Sequence, residues 1–279
     1  MSDPAATMTE LVTLLDMVSR DLIQTLRRPV RVGLSGAQGS GKTTAAKAWV
    51  KQNPKVANFS LDDVYLNTAD RKALATKVSP LFKVRGPPGT HDLELAKRTL
   101  IKLHDARARD VTPLPRFDKL ADHRVPAEQW PNFAGTANVV LIDGWCMGAT
   151  AEPPSALEDP VNDLELDYDE NGAWRGHVNE QLEGPYAAFF GRIDMFIHIV
   201  APSWDVVPHW RLEQEAGLRG IAVDAVPQDI RANLTRFVNH YQRVTQHMLD
   251  GGRLPGWTVQ LGENREILSI DGPPETPAA

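Results

Sequence analysis

Gly36-Ala37-Gln38-Gly39-Ser40-Gly41-Lys42-Thr43 fits G-x-x-x-x-G-K-[ST], the spacing of a phosphate-binding loop. Its flanks match what that motif needs. Residues 30–35, Val-Arg-Val-Gly-Leu-Ser, form a short β-branched run that reads as a buried strand. Residues 44–50, Thr-Ala-Ala-Lys-Ala-Trp-Val, read as a helix. Glycines let backbone N–H groups turn inward around an anion without Cβ clashes, and the helix that follows adds the positive end of its dipole. In such a loop Lys42 reaches the β- and γ-phosphates and the Thr43 hydroxyl ligates Mg²⁺. Residues 36–44, through Thr44, are therefore the expected ATP-binding stretch.

Outward from the loop, short apolar runs recur between helical segments. Strands are expected at 56–60, 138–144, 193–200 and 254–261, which with 30–35 makes five. Helices are expected at 9–28, from 91 to about 106, and at 178–190, 203–217 and 227–249. This alternation predicts one α/β domain over 1–272, a mostly parallel five-stranded sheet with helices on both faces. Residues 66–90 read as irregular, 149–176 as an acidic, mobile insertion, and 273–279 as a disordered tail.

Composition excludes several partner classes. The net charge of −6 and the lack of a Lys/Arg-rich run argue against nucleic acid as the main partner. No apolar run approaches the roughly 18 residues of a membrane helix. The lone cysteine, Cys146, can form no intramolecular disulfide, and the start Met1-Ser2-Asp3-Pro4 lacks the features of a signal peptide. A cytoplasmic protein is expected.

Carboxylates at strand ends carry the next inference. Asp62 and Asp63 lie just past the strand at 56–60, on the sheet edge where α/β proteins bind ligands. A carboxylate near a γ-phosphate can accept the proton of an attacking hydroxyl, although an aspartate pair can also cap a helix. Asp143 ends the apolar run 138–142, the arrangement that delivers a carboxylate to Mg²⁺ opposite Thr43. Arg85, His91, Arg116, Lys119 and Arg124 make the intervening loops locally basic, suited to an anionic acceptor. Tyr65 and Asp118 stand among them. Arg211, with Arg219 second, is the candidate lid arginine over the transferring phosphate. Asn264 lies in the loop after the last strand. His198, inside a strand, reads as structural.

These landmarks resemble the P-loop small-molecule kinases that include uridine kinase, phosphoribulokinase and pantothenate kinase. The match of Ser60-Leu61-Asp62-Asp63-Val64-Tyr65 to their strand-end segment implies Asp62 as the catalytic base and Asp63 as helper or cap. A narrower resemblance is to the D-glycerate 3-kinase family. It is carried by 60–66, Arg85-Gly86-Pro87-Pro88-Gly89-Thr90-His91-Asp92, Pro115-Arg116-Phe117-Asp118-Lys119, 140–148 (through Asp143-Gly144-Trp145), 178–180 and 210–215. Val64 departs from the usual aromatic, and Asp143 stands where glutamate is common. The resemblance implies a doubly wound sheet, MgATP-dependent phosphorylation of D-glycerate to 3-phosphoglycerate, and Asn264 as the contact for the nucleotide base. Arg85, Arg116, Lys119 and Arg124 become the candidate carboxylate ligands. Two alternatives stay open: another small hydroxylated acceptor, such as a nucleoside, pentose phosphate or pantothenate, or a regulatory ATPase with no acceptor.

Overall fold

The structure is a computed structural model that describes residues 4–274. Most of the tail expected at 273–279 lies outside the described residues.

The phosphate-loop strand β1 (Val30–Gly36) sits inside the sheet. It pairs in parallel with β3 (Val139–Gly144) on one side and β4 (Met195–Val200) on the other. Strand β2 (Val56–Ser60) runs parallel outside β3, and β5 (Gly256–Leu261) parallel outside β4. A sixth strand, β6 (Ile267–Asp271), closes the edge antiparallel to β5, so the order is β6-β5-β4-β1-β3-β2. The sequence predicted five strands. The sixth was hidden because Leu268 and Ile270 face solvent on an edge, so nothing in the pattern marks a buried face.

The strands read as continuous apolar runs because both faces are covered. Side chains alternate across the sheet. Val139 and Leu141 join Val32, Leu34, Ile197 and Ile199 under α1 (Pro4–Leu26), α2 (Lys42–Gln52) and α8 (Val206–Arg219). Val140 and Ile142 face the other way, into a cluster with α4 (Leu93–Asp105), α6 (Ala173–Gln181), α7 (Ala187–Phe190) and α9 (Gln228–Leu249). The expected stripe on α1 is buried at Leu11, Leu14, Leu15 and Val18. Asp92 caps α4 by accepting from the Leu95 N–H at 2.9 Å.

Two stretches differ from the sequence reading. Residues expected to be irregular contain α3 (Thr68–Lys77), whose buried residues are Arg71 and Ala75. With so narrow an apolar stripe it gives little periodic signal. The acidic stretch 149–176 is tied into the body rather than solvated. It holds α5 (Asp163–Tyr168), and Glu165 is fully buried against Arg243 of α9. Asp169 is buried too, accepting from the Trp174 N–H at 2.6 Å and pairing with Arg175 at 3.0 Å. Charge density alone read as solvation because the partners, Arg175 and Arg243, are helix residues whose burial appears only in three dimensions.

Candidate active site

The phosphate loop bridges β1 and α2 at the carboxyl edge of the sheet. Gly39 (φ 79°) and Gly41 (φ 89°) hold left-handed backbone that other residues resist. A side chain at Gly39 would also collide with Trp210, whose Cβ lies 2.6 Å from where a Cβ would stand. Gly41 precedes α2 without any side-chain cap, leaving the N–H groups of the first turn for a ligand. A cleft of about 330 Å³ opens there, lined by Gly39, Gly41, Lys42, Thr43 and Thr44 with Trp210, Glu213, Gln214 and Arg265. Gly36 and Ala37, at the start of the loop, are buried. Two polar atoms of the loop, Gln38 Oε1 and Ser40 Oγ, are buried without a hydrogen-bond partner.

Asp143 is buried at the end of β3. Thr43 donates from Oγ1 to its Oδ2 at 3.2 Å, Asn58 from Nδ2 to Oδ1 at 3.2 Å, and Ser60 from Oγ to Oδ2 at 3.3 Å. Burial raises its pKa and the charge of Lys42 opposes that. A carboxylate beside a helix N-terminal hydroxyl is a hard-oxygen pair that suits Mg²⁺, which keeps most of its shell for phosphate and water. The residues present therefore fit that ion. Burial pulls the Lys42 pKa down, while Asp62 and Asp143 pull it up.

Asp62 stands beyond β2 in a one-turn 3₁₀ segment, Leu61–Asp63. Ser60 starts it with a capping box, accepting from the Asp62 N–H while its own N–H donates to Asp63. Asp63 is thus a cap, and its Oδ1 and Oδ2 lie 3.3 and 3.4 Å from Arg116 Nη1. Both oxygens of Asp62 are engaged: Tyr65 donates its hydroxyl to Oδ1 at 2.6 Å and Lys119 donates from Nζ to Oδ2 at 2.5 Å. Burial pushes the Asp62 pKa up, but Lys119, Lys42 and the Tyr65 hydroxyl outweigh it. The group is held well below the usual carboxylate range.

His91 stacks on Tyr65 with ring centroids 4.7 Å apart. Its Nδ1 lies 2.5 Å from the Tyr186 hydroxyl, which already accepts from the Gly89 N–H at 3.1 Å. Donation of the tyrosine proton to Nδ1 places the histidine proton on Nε2. Burial lowers the His91 pKa to about 4, so the ring is neutral near pH 7. Its Nε2 is buried without a protein partner.

The basic residues separate into two sets. Arg116 and Lys119 end on the aspartates at the site. Arg85 pairs with Asp122 at 2.6 Å and donates to the Lys119 carbonyl at 3.1 Å. Arg124 donates to the Tyr65 carbonyl and to Asp92 Oδ2 at 3.0 and 3.1 Å. Asp118 accepts from the Leu120 and Ala121 N–H groups and shapes its own turn. In this arrangement Arg85, Arg124 and Asp118 hold the loop that presents Lys119. Arg211, next to Trp210 on α8, pairs with Glu215 at 3.1 Å and keeps a buried Nη1 without a partner; Arg219 shares Glu215 and points its charge there. His198 is structural, with its Nε2 2.8 Å from the Leu254 carbonyl and Nδ1 2.7 Å from Ser35 Oγ.

Arg265 is a site residue that the sequence reading missed. From the β5–β6 turn it donates to the Gly39 carbonyl at 2.7 Å, pairs with Glu213 at 2.6 Å and lies over the Trp210 ring at 4.8 Å. It joins the phosphate loop to α8. Asn264 lines the adjoining groove of about 420 Å³ with Ser203, Asp205, His209 and Glu263. The place of Asn264 after the last strand is legible in the sequence, but only the fold shows its neighbour Arg265 reaching Gly39.

No family model matches the chain. It is 32% identical over 203 residues to the chloroplastic D-glycerate 3-kinase of Arabidopsis thaliana, covering 68% of this chain but only 42% of the plant protein. It is 31% identical over 225 residues to an uncharacterized kinase, mug58, of Schizosaccharomyces pombe, covering 77% of this chain and 79% of the yeast protein. The chain belongs to the P-loop kinase family that includes D-glycerate 3-kinase. The solved structure of a D-glycerate 3-kinase from Cryptococcus neoformans superposes with a TM-score of 0.77 at 24% identity, covering 94% of this chain and 98% of that one, and so shares the fold. For this P-loop kinase the clamp made by Arg265 carries a prediction. Arg265→Ala removes a charged hydrogen bond to the phosphate loop and is expected to weaken ADP binding about tenfold or more. Calorimetric titration checks it; an unchanged affinity removes Arg265 from the nucleotide site.

Proposed function

We propose that this protein transfers the γ-phosphoryl group of ATP to D-glycerate, giving 3-phosphoglycerate and ADP. The observation that carries the reading is a strand-end carboxylate, Asp62, set under Lys119 beside a phosphate loop. A kinase for a small anionic acceptor needs that combination. The likeness to the plant and fungal enzymes supplies the acceptor's name.

The chain's own residues account for the chemistry by positioning and charge. The N–H groups of 39–44 and Lys42 hold the β- and γ-phosphates. Thr43 and Asp143 would hold Mg²⁺, which would neutralise charge on the phosphate oxygens. Arg211, with an unused Nη1, meets charge that builds on the transferring group. Lys119 and Arg116 bind the glycerate carboxylate, and His91 Nε2–H offers a neutral donor to an acceptor oxygen. Asp62 takes the proton of the attacking hydroxyl as its oxygen bonds to the γ-phosphorus and the bond to ADP breaks. Asn264 and Arg265 border the groove for the nucleoside end. With its one thiol, Cys146, the enzyme suits a reducing cytoplasmic compartment. Among the described residues no helix is long and apolar enough to cross a membrane.

The test is a coupled assay of ADP release with D-glycerate, alongside a nucleoside, a pentose phosphate and pantothenate, with the product read by ³¹P NMR. Turnover with D-glycerate and a 3-phosphoglycerate signal are expected. Turnover with another of these acceptors alone, or with none, rejects the assignment.

A further inference from the structure

The base proposed above already holds a donor on each of its oxygens. Lys119 Nζ sits 2.5 Å from Asp62 Oδ2 and the Tyr65 hydroxyl 2.6 Å from Oδ1, and the ammonium against Oδ2 lowers the affinity of the carboxylate for a proton. The two partners differ in how firmly they are held. Tyr65 is buried, stacked on His91 and edge-on to Phe117 at 5.4 Å. The Lys119 side chain is 55% exposed, and Asp62 is its ion-pair partner. Its backbone is nonetheless fixed. Arg85 donates to the Lys119 carbonyl, Asp118 shapes the turn, and Asp122 pairs with Arg71 at 2.5 Å and Arg85 at 2.6 Å. A pinned backbone carrying a half-exposed ammonium on a flexible stem is a pivot. Arg116, 52% exposed, ends 3.3 Å from Asp63 next to it, so a second cation stands ready for the same anion.

Resting on the kinase reading above, we propose that Lys119 is an acceptor-exchanged latch that gives the enzyme its preference for anionic acceptors. In the free enzyme its ammonium occupies the oxygen of Asp62 that must take the proton. An acceptor carboxylate replaces Asp62 as the partner of Lys119. Oδ2 is then released, accepts the hydroxyl proton, and phosphoryl transfer proceeds. Water and neutral alcohols bring no competing anion, so Asp62 stays latched and ATP is spared from hydrolysis. Other charged or titratable groups around Asp62 do not fit this role. Lys42 belongs to the phosphate side, and His91 is neutral and bonded to Tyr186. Asp63, Asp143, Cys146, Tyr65 and Tyr241 cannot supply a movable cation.

The test compares wild type, Lys119→Met and Lys119→Arg with D-glycerate, with glycerol, which has the hydroxyls but no carboxylate, and with no acceptor. In Lys119→Met, ATP hydrolysis without acceptor is expected to rise about tenfold, and kcat/KM for D-glycerate relative to glycerol to fall by at least as much. Lys119→Arg is expected to restore both. Acceptor-free hydrolysis in Lys119→Met at or below the wild-type rate overturns the latch, as does an equal loss with both acceptors. If wild type ignores D-glycerate yet Lys119→Met hydrolyses ATP faster, the latch stands and the glycerate assignment falls.

Discussion

Replacing Asp62 with Asn is expected to lower kcat for acceptor phosphorylation by about 10²–10⁴-fold, the usual contribution of a positioned general base. The substitution preserves shape, so nucleotide affinity should change little. The chemistry changes in two ways. An amide cannot take the hydroxyl proton. It also has one acceptor oxygen where the carboxylate has two, so it can satisfy Tyr65 or Lys119 but not both. Steady-state kinetics with saturating ATP check the first effect, and ADP titration checks that the nucleotide site survives. A kcat within tenfold of wild type would falsify the role of Asp62 as proton acceptor and favour the reading of its segment as a helix cap.

The largest expected effect on stability lies far from the chemistry. Arg243→Met should cost about 3–5 kcal/mol, the penalty for stranding a buried charge. Arg243 binds Glu165 through Nε at 2.9 Å and Nη2 at 2.7 Å, and donates to the Ala156 and Asp159 carbonyls at 2.7 and 2.6 Å. The Glu165 side chain has no exposure and that of Arg243 5%, so water cannot take over either partner. For a chain of 279 residues this is a fall in Tm of roughly 5–9 °C. Removing both charges, as Glu165→Leu with Arg243→Met, should recover most of it, because two apolar side chains leave no unpaired ion. Thermal melts of the two single variants and the pair check this. A single-variant Tm within 2 °C of wild type would mean that the 149–176 segment detaches without cost, in line with the solvated excursion expected from its composition.

The two predictions divide along a line that runs through the molecule. What the sequence by itself determined is local. Gly39, Gly41 and Lys42 specify the phosphate loop because a left-handed turn and a helix start need those residue types within a few positions. The apolar runs at 30–35, 56–60 and 138–142 specify buried parallel strands, because both faces of such a sheet are covered. Asp62 and Asp143 could be placed on the carboxyl edge for the same reason: residues at or just past a strand's end are delivered there wherever the strand sits. Only the tertiary structure decided the rest. It brought Lys119 across 57 positions to Asp62, Arg265 across 226 to Gly39, and Arg243 across 78 to Glu165. It also separated cations that look alike in sequence, turning Arg85 and Arg124 inward to brace the loop that presents Lys119. An ion pair between distant residues leaves no periodicity behind, and a charge in a loop reads the same whether it binds substrate, braces a turn or faces water. Its meaning comes from burial and from its partner, and the fold supplies both.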